Sequence, residues 1–174
     1  LTLQAPIQKN KSSFLISGRR TYAFDIAQPA LKKTDFAGTN YFFYDLNVKA
    51  NYIFSDKSKL YISGYFGRDV FVYNSSANQT YVKIPWGNIT ATARYNHVIN
   101  SKLFMNASFI FNDYKFQFTG KQLDFGFDVN SGVRDFNAKV DFDYFINNKH
   151  LLKFGYIYTH HKMTPTIASA QSDT

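Results

Sequence analysis

The feature that most constrains this chain is a strict alternation of apolar and polar residues, sustained over segments longer than most strands. From Tyr44 to Phe54 one set of positions reads Tyr44, Leu46, Val48, Ala50, Tyr52, Phe54 and the other Asp45, Asn47, Lys49, Asn51. Successive side chains of an extended chain point to opposite faces, so this segment is a strand with one apolar and one wet face. The stretch from Asp135 to Tyr144 repeats the pattern, setting Phe136, Ala138, Val140, Phe142 and Tyr144 against Asp135, Asn137, Lys139, Asp141 and Asp143. Asn88 to Ile99 and Leu103 to Phe111 follow the same rule, so the period of two runs through most of the chain.

Short polar breaks separate these segments at Gln8–Lys11, Ser55–Ser58, Asn100–Lys102 and Asn147–Lys149, where Asn, Asp and Ser supply turn geometry. They recur about every 46 residues, and between them lie less periodic stretches at Tyr22–Asn40, Tyr73–Thr80 and Thr119–Ser131. The expectation is an all-β, antiparallel up-and-down meander of about eight strands, with tight turns at one rim and long loops at the other. A composition with 13 Tyr and 19 Phe against 4 Pro and 9 Gly agrees with it.

A soluble β-sandwich also alternates, so the medium meeting the apolar face needs separate argument. Strands of roughly 10 to 15 residues exceed the usual globular length and suit a tilted bilayer crossing. Aromatics gather near strand ends, at Tyr41–Tyr44 and at Phe142, Tyr144 and Phe145, while Ala50, Ala91, Ala93, Ala107 and Ala138 hold the middles. Two aromatic girdles around an apolar band have this form, and the charged, Asn-rich opposite face suits a lumen wall. The expectation is therefore a transmembrane β-barrel segment contacting outer-membrane lipid, with a soluble aromatic-rich β domain that binds carbohydrate or protein at Trp86, Tyr81 and Tyr65 as the alternative. A structural barrel without cargo is a third reading.

No apolar run approaches the roughly 18 residues of a transmembrane helix. The absence of cysteine removes disulfide scaffolds, thiolate metal sites and cysteine nucleophiles. The formal charge is +8, but the 20 Lys and Arg are scattered, with never more than two together, and no nucleic-acid partner is expected. The chain opens Leu1-Thr2-Leu3-Gln4 without Met, basic n-region or apolar h-region, so any secretion signal is expected to have been removed or to lie upstream, and residues 1–174 are read as one partial barrel domain, a fragment.

At Ser17-Gly18-Arg19-Arg20-Thr21-Tyr22, Lys33-Thr34-Asp35-Phe36, Tyr44-Asp45-Leu46-Asn47, Gly64-Tyr65-Phe66-Gly67-Arg68-Asp69, Pro85-Trp86-Gly87-Asn88 and Phe111-Asn112-Asp113-Tyr114 the chain resembles TonB-dependent outer-membrane receptors of Bacteroidetes. It is similar to their early-to-middle barrel, in the branch that often carries a carboxypeptidase-regulatory-like domain. The resemblance runs over nearly the whole chain and implies about eight strands of a barrel of the 22-strand class. It further implies a plug domain, a TonB-type energy transducer, a surface lipoprotein in some members, and a place in the outer membrane. These motifs mark barrel segments and leave the imported solute open.

Candidate chemistry is sparse, and no enzyme activity or cofactor is expected. Asp141 with Asp143, and Asp45 with Lys49, share a strand face and read as lumen charge pairs more readily than as acid and base. His160 and His161 are adjacent on a strand, point to opposite faces and cannot chelate one ion; no metal site is expected. Arg19, Arg20, Arg68 and Asp69, read as lying at strand ends, together with Trp86 and Arg134, are the candidates for contact with a ligand or the plug, with a rim salt bridge the more frequent role for such strand-end charges.

Overall fold

The computed structural model describes residues 1–34 and 36–172; Asp35 of the Lys33–Phe36 motif lies outside the described residues. Eight strands follow in order: β1 (Thr2–Gln8), β2 (Ser12–Arg20), β3 (Thr39–Ser55), β4 (Ser58–Ser75), β5 (Thr80–Asn100), β6 (Leu103–Gln122), β7 (Phe125–Asn147) and β8 (His150–Ser172). One helix, α1 (Ala23–Leu31), joins β2 to β3. Each strand pairs antiparallel with the next in a single sheet of order β1 to β8. All four polar breaks are turns, and the meander is the one that the alternation implies.

Strands β3 to β8 run from 17 to 23 residues, longer than expected, at the expense of two anticipated loops. Strand β4 continues to Ser75 and β5 begins at Thr80, so Tyr73–Thr80 is a tight turn. Strand β6 reaches Gln122 and β7 starts at Phe125, which makes Thr119–Ser131 an extended hairpin. Only Tyr22–Asn40 forms a long connection, and it holds α1. The helix presents Phe24, Ala27, Gln28 and Leu31 toward the sheet at positions i, i+3, i+4 and i+7 and keeps the other residues exposed. Gln28 Nε2 donates to the Thr39 carbonyl at 3.1 Å, and Phe24 meets Tyr41 edge to face at 6.3 Å. At the foot of the connection Gly38 takes φ 81°, and its carbonyl accepts from the Asn74 amide at 2.9 Å.

The register sorts the side chains into rows. Ile62, Ala93, Phe109, Ala138 and Tyr158 lie side by side across five strands on one face, and Phe66 and Ile89 stand beside one another nearer α1. This apolar face has no second layer: Ile62 is 52% exposed, Phe109 51% and Tyr158 56%, and Val70 and Pro85 are the only buried apolar side chains among the described residues. A soluble domain needs two packed layers around a core, and this sheet forms one. Apolar rows continue from Leu103 to Phe111 on β6 and from Phe136 to Tyr144 on β7. About nine residues at roughly 3.3 Å each, tilted by about 40°, stand about 23 Å tall, close to the apolar band of a membrane barrel.

Beyond this band, toward α1, the two faces exchange character at a common level. On β6 the apolar residues move from Phe109 and Phe111 to Phe116 and Phe118, which occupy the opposite face. On β5 they move from Ile89 and Ala91 to Trp86, Ile84 and Val82, and on β7 from Phe136 to Val133, Val129 and Phe127. The formerly apolar face there carries Arg68, Lys115, Arg134 and Lys162. The exchange marks the plane at which the sheet leaves an apolar medium, and its inverted phase conceals the strand extensions from a reader following one alternation.

Candidate functional site

Within the band the wet face is a polar lattice built by cross-strand pairing. Asn47, Tyr65, Thr90, Asn112, Asp135 and His161 form one row, and Lys49, Ser63 and Thr92 part of the next. Thr90 Oγ1 donates to Asn112 Oδ1 at 2.9 Å, Thr159 Oγ1 to Asn137 Oδ1 at 2.6 Å, and Ser13 Oγ to Asn51 Oδ1 at 2.6 Å. A trough of about 900 Å³ opens on this face, with Ser13, Lys49, Asn51, Tyr61, Thr92 and Arg94 in its lining. The shielded carbonyl oxygens of Asn88, Asn96 and Asn106 meet no donor among the described residues, leaving acceptors for water or a partner in the interior.

The acidic candidates are each paired with a cation. Lys139 Nζ stands 2.8 Å from Asp141 and Lys153 Nζ 3.3 Å from Asp143, so each carboxylate has a cation of its own. Asp45 is paired with Arg19, not with Lys49. His160 lies opposite Phe136 on the apolar face, while His161 Nδ1 lies 2.6 Å from Asp135 on the wet face.

Of the six contact candidates, the structure gathers three and disperses three. On the wet side above the band, Arg19 Nε donates to Asp45 Oδ2 at 2.5 Å and its guanidinium lies 5.3 Å from the Phe43 ring. Phe43 neighbours Tyr41 at 6.4 Å, whose hydroxyl donates to Asp69 Oδ1 at 2.6 Å and whose ring stacks on Trp86 at 6.1 Å. That hydrogen bond, with partial burial second, holds the Tyr41 phenol above its ordinary pKa, on a stretch beyond the apolar band. Arg19, Asp69 and Trp86 therefore border one aromatic patch. Tyr41 and Phe43 complete it: of the run read as one aromatic girdle from Tyr41 to Tyr44, these two turn to the wet side, and Phe42 and Tyr44 to the other.

Arg20, Arg68 and Arg134 take the other face. Arg20 sits 5.0 Å over Tyr22 and 5.6 Å over Phe42, with Asp25 of the first turn of α1 at 3.6 Å. Arg134 pairs with Asp113 at 2.7 Å. Arg19 and Arg20 end β2 as expected, but Arg68 and Asp69 lie inside β4, because that strand continues past the expected loop.

A single antiparallel sheet, wet on one face and banded apolar on the other, defines a class: the wall of a transmembrane β-barrel. Comparison with solved structures agrees. The ferric yersiniabactin uptake receptor FyuA from Yersinia pestis superposes with a TM-score of 0.70 at 9% identity, over 98% of this chain and 30% of that chain. The fold is thus shared with part of that uptake receptor, and the chain spans less than a third of that receptor's length. The translocator domain of the autotransporter NalP from Neisseria meningitidis aligns at a TM-score of 0.33 and 10% identity, over 91% of this chain and 52% of that one. The CymD monoaromatic hydrocarbon channel aligns at 0.29 and 9%, over 99% and 72%. No protein-family model and no curated protein sequence matches the chain.

Proposed function

We propose that this sheet is part of the wall of an outer-membrane receptor of the TonB-dependent kind that imports a solute. The observation that carries the reading is the exchange of polarity between the faces: apolar outside over one band, wet inside, and reversed above it. The resemblance of its sequence motifs to Bacteroidetes receptors favours that branch. In this reading the apolar rows meet lipid, and the trough by Lys49 and Arg94 faces the plug. The patch bordered by Arg19, Asp69 and Trp86 stands at the mouth, where a solute is captured before the transducer pulls on the plug. An aromatic surface flanked by ions suits a ligand with a flat or sugar-like face and at least one polar group.

The sequence contains no cysteine, so single cysteines introduced into it report without background from its own residues. Ala93 and Thr92 are adjacent and occupy opposite faces of β5. In the full-length protein inserted into vesicles, a fluorophore on Ala93→Cys is expected to be quenched by spin-labelled lipid and one on Thr92→Cys by an aqueous quencher. Aqueous quenching at both sites, in detergent-free solution, would refute the barrel and favour the soluble binding domain.

A further inference from the structure

Immediately above the apolar band, on the lipid side, the register builds a cationic shelf notched by two glycines. One row reads Arg68, Gly87, Lys115, Gly132, Thr164, and the row below it, next to the band, continues Ile89, Asp113, Arg134, Lys162. A Cβ on Gly87 would lie 2.7 Å from the Gly67 carbonyl, and one on Gly132 would lie 2.9 Å from that of Tyr114. Neither place admits a side chain without movement of backbone, so each is kept open as the floor of a hollow. One hollow, about 340 Å³, includes Arg68, Gly87, Ile89 and Lys115; the other, about 230 Å³, includes Lys115, Gly132, Arg134 and Lys162. Lys115 and Asp113 belong to both.

The charge of the shelf is one-sided. Four cations face a single carboxylate, Asp113, which engages Arg134 at 2.7 Å and reaches Lys115 only at 3.9 Å. Lys115 is 70% exposed at its side chain, free to reach across either notch. Phe66 and Ile89 at the end of the lower row, and Phe111 and Phe136 directly beneath it, begin the apolar band. Cations over small open floors, set on the edge of an exposed apolar surface, match an amphiphile whose phosphate lies at headgroup depth and whose chains run down the band.

We propose that the two notches hold the phosphate of an anionic lipid of the surrounding membrane, bridged by Lys115 and flanked by Arg68 on one side and by Arg134 and Lys162 on the other. The inference rests on the barrel reading, and its test separates the two. The full-length protein is inserted into phosphatidylcholine vesicles with and without phosphatidylglycerol, extracted into neutral detergent, and its retained lipids are counted by native mass spectrometry. The expected result is selective retention of phosphatidylglycerol, reduced about 25-fold in Lys115→Gln/Lys162→Gln, at roughly fivefold per cation removed. Lys49→Gln/Lys139→Gln, the same charge change on the wet face, is expected to keep the selectivity. Equal retention of the two lipids by the inserted protein, or equal loss in both double variants, would overturn the shelf and leave the barrel standing. Failure to insert into either vesicle would remove both.

Discussion

Arg19 and Asp45 form an asymmetric pair across β2 and β3: the guanidinium is 71% exposed at its side chain, and the carboxylate it holds is 6% exposed. Loss of the two partners therefore has unequal consequences. Arg19→Gln strands a shielded carboxylate, whereas Arg19→Gln/Asp45→Asn replaces the pair with amides that need no cation. Arg19→Gln is expected to lower the temperature at which the folded barrel loses its compact mobility on a semi-denaturing gel, and the added Asp45→Asn to restore most of it. If the double variant unfolds no later than the single one, the pair does not hold this rim.

Tyr41 joins Asp69 and Trp86, and Trp86 is the one tryptophan of the sequence. Tyr41→Ala is expected to shift the Trp86 emission to the red, because removal of the stacked ring admits water. Tyr41→Phe keeps the ring and loses only the hydroxyl bond, with a cost of about 1 kcal/mol at neutral pH. The phenol titrates higher in the folded than in the unfolded state, so this contribution is complete below about pH 10 and lost as pH climbs toward the folded value. Urea midpoints of Tyr41→Phe and the unsubstituted protein should accordingly converge in strong alkali; a gap that persists there would assign the effect to packing.

The apolar band makes a depth-dependent prediction. Arg at Ala93, in the middle of the lipid face, is expected to destabilise the inserted barrel by about 2–4 kcal/mol, and Arg at Thr92, facing the trough beside Arg94 and Lys49, by much less. Reversible unfolding from vesicles gives both values. Equal costs would mean that the two faces meet the same solvent.

The meander was legible because the band obeys one rule for many residues: Tyr44 to Phe54 and Phe136 to Tyr144 announce their faces unaided. The strand extensions were not, because Lys115, Phe116, Gln117, Phe118 and Thr119 alternate just as regularly but in the opposite phase. A change of solvent along a strand inverts the pattern without ending the strand, and reads in sequence as its end. Helix α1 escaped for another reason: Pro29 reads as a helix breaker, and one short stripe of Phe24, Ala27 and Leu31, with polar Gln28 in it, is a weak signal over nine residues. Among the site candidates, adjacency of Arg19 with Arg20 and of Arg68 with Asp69 suggested pairs, yet a period of two separates each pair onto opposite faces.

The hairpin between β6 and β7 turns at Leu123 and Asp124, and Leu123 occupies the left-handed region at φ 54°. A leucine there meets a steric penalty of about 1–2 kcal/mol that glycine or asparagine largely avoids. The residue is 64% exposed and has little packing to offset that cost. This choice of residues also explains why the turn was invisible in sequence, since it lacks the Asn-Gly or Asp-Gly signal that marks tight hairpins. Leu123→Asn is expected to stabilise the hairpin by about 1 kcal/mol, with slower proteolysis between Lys121 and Phe125 in the full-length protein. Faster cleavage or a lower unfolding midpoint would show that the Leu123 side chain contributes contacts which outweigh the relieved backbone.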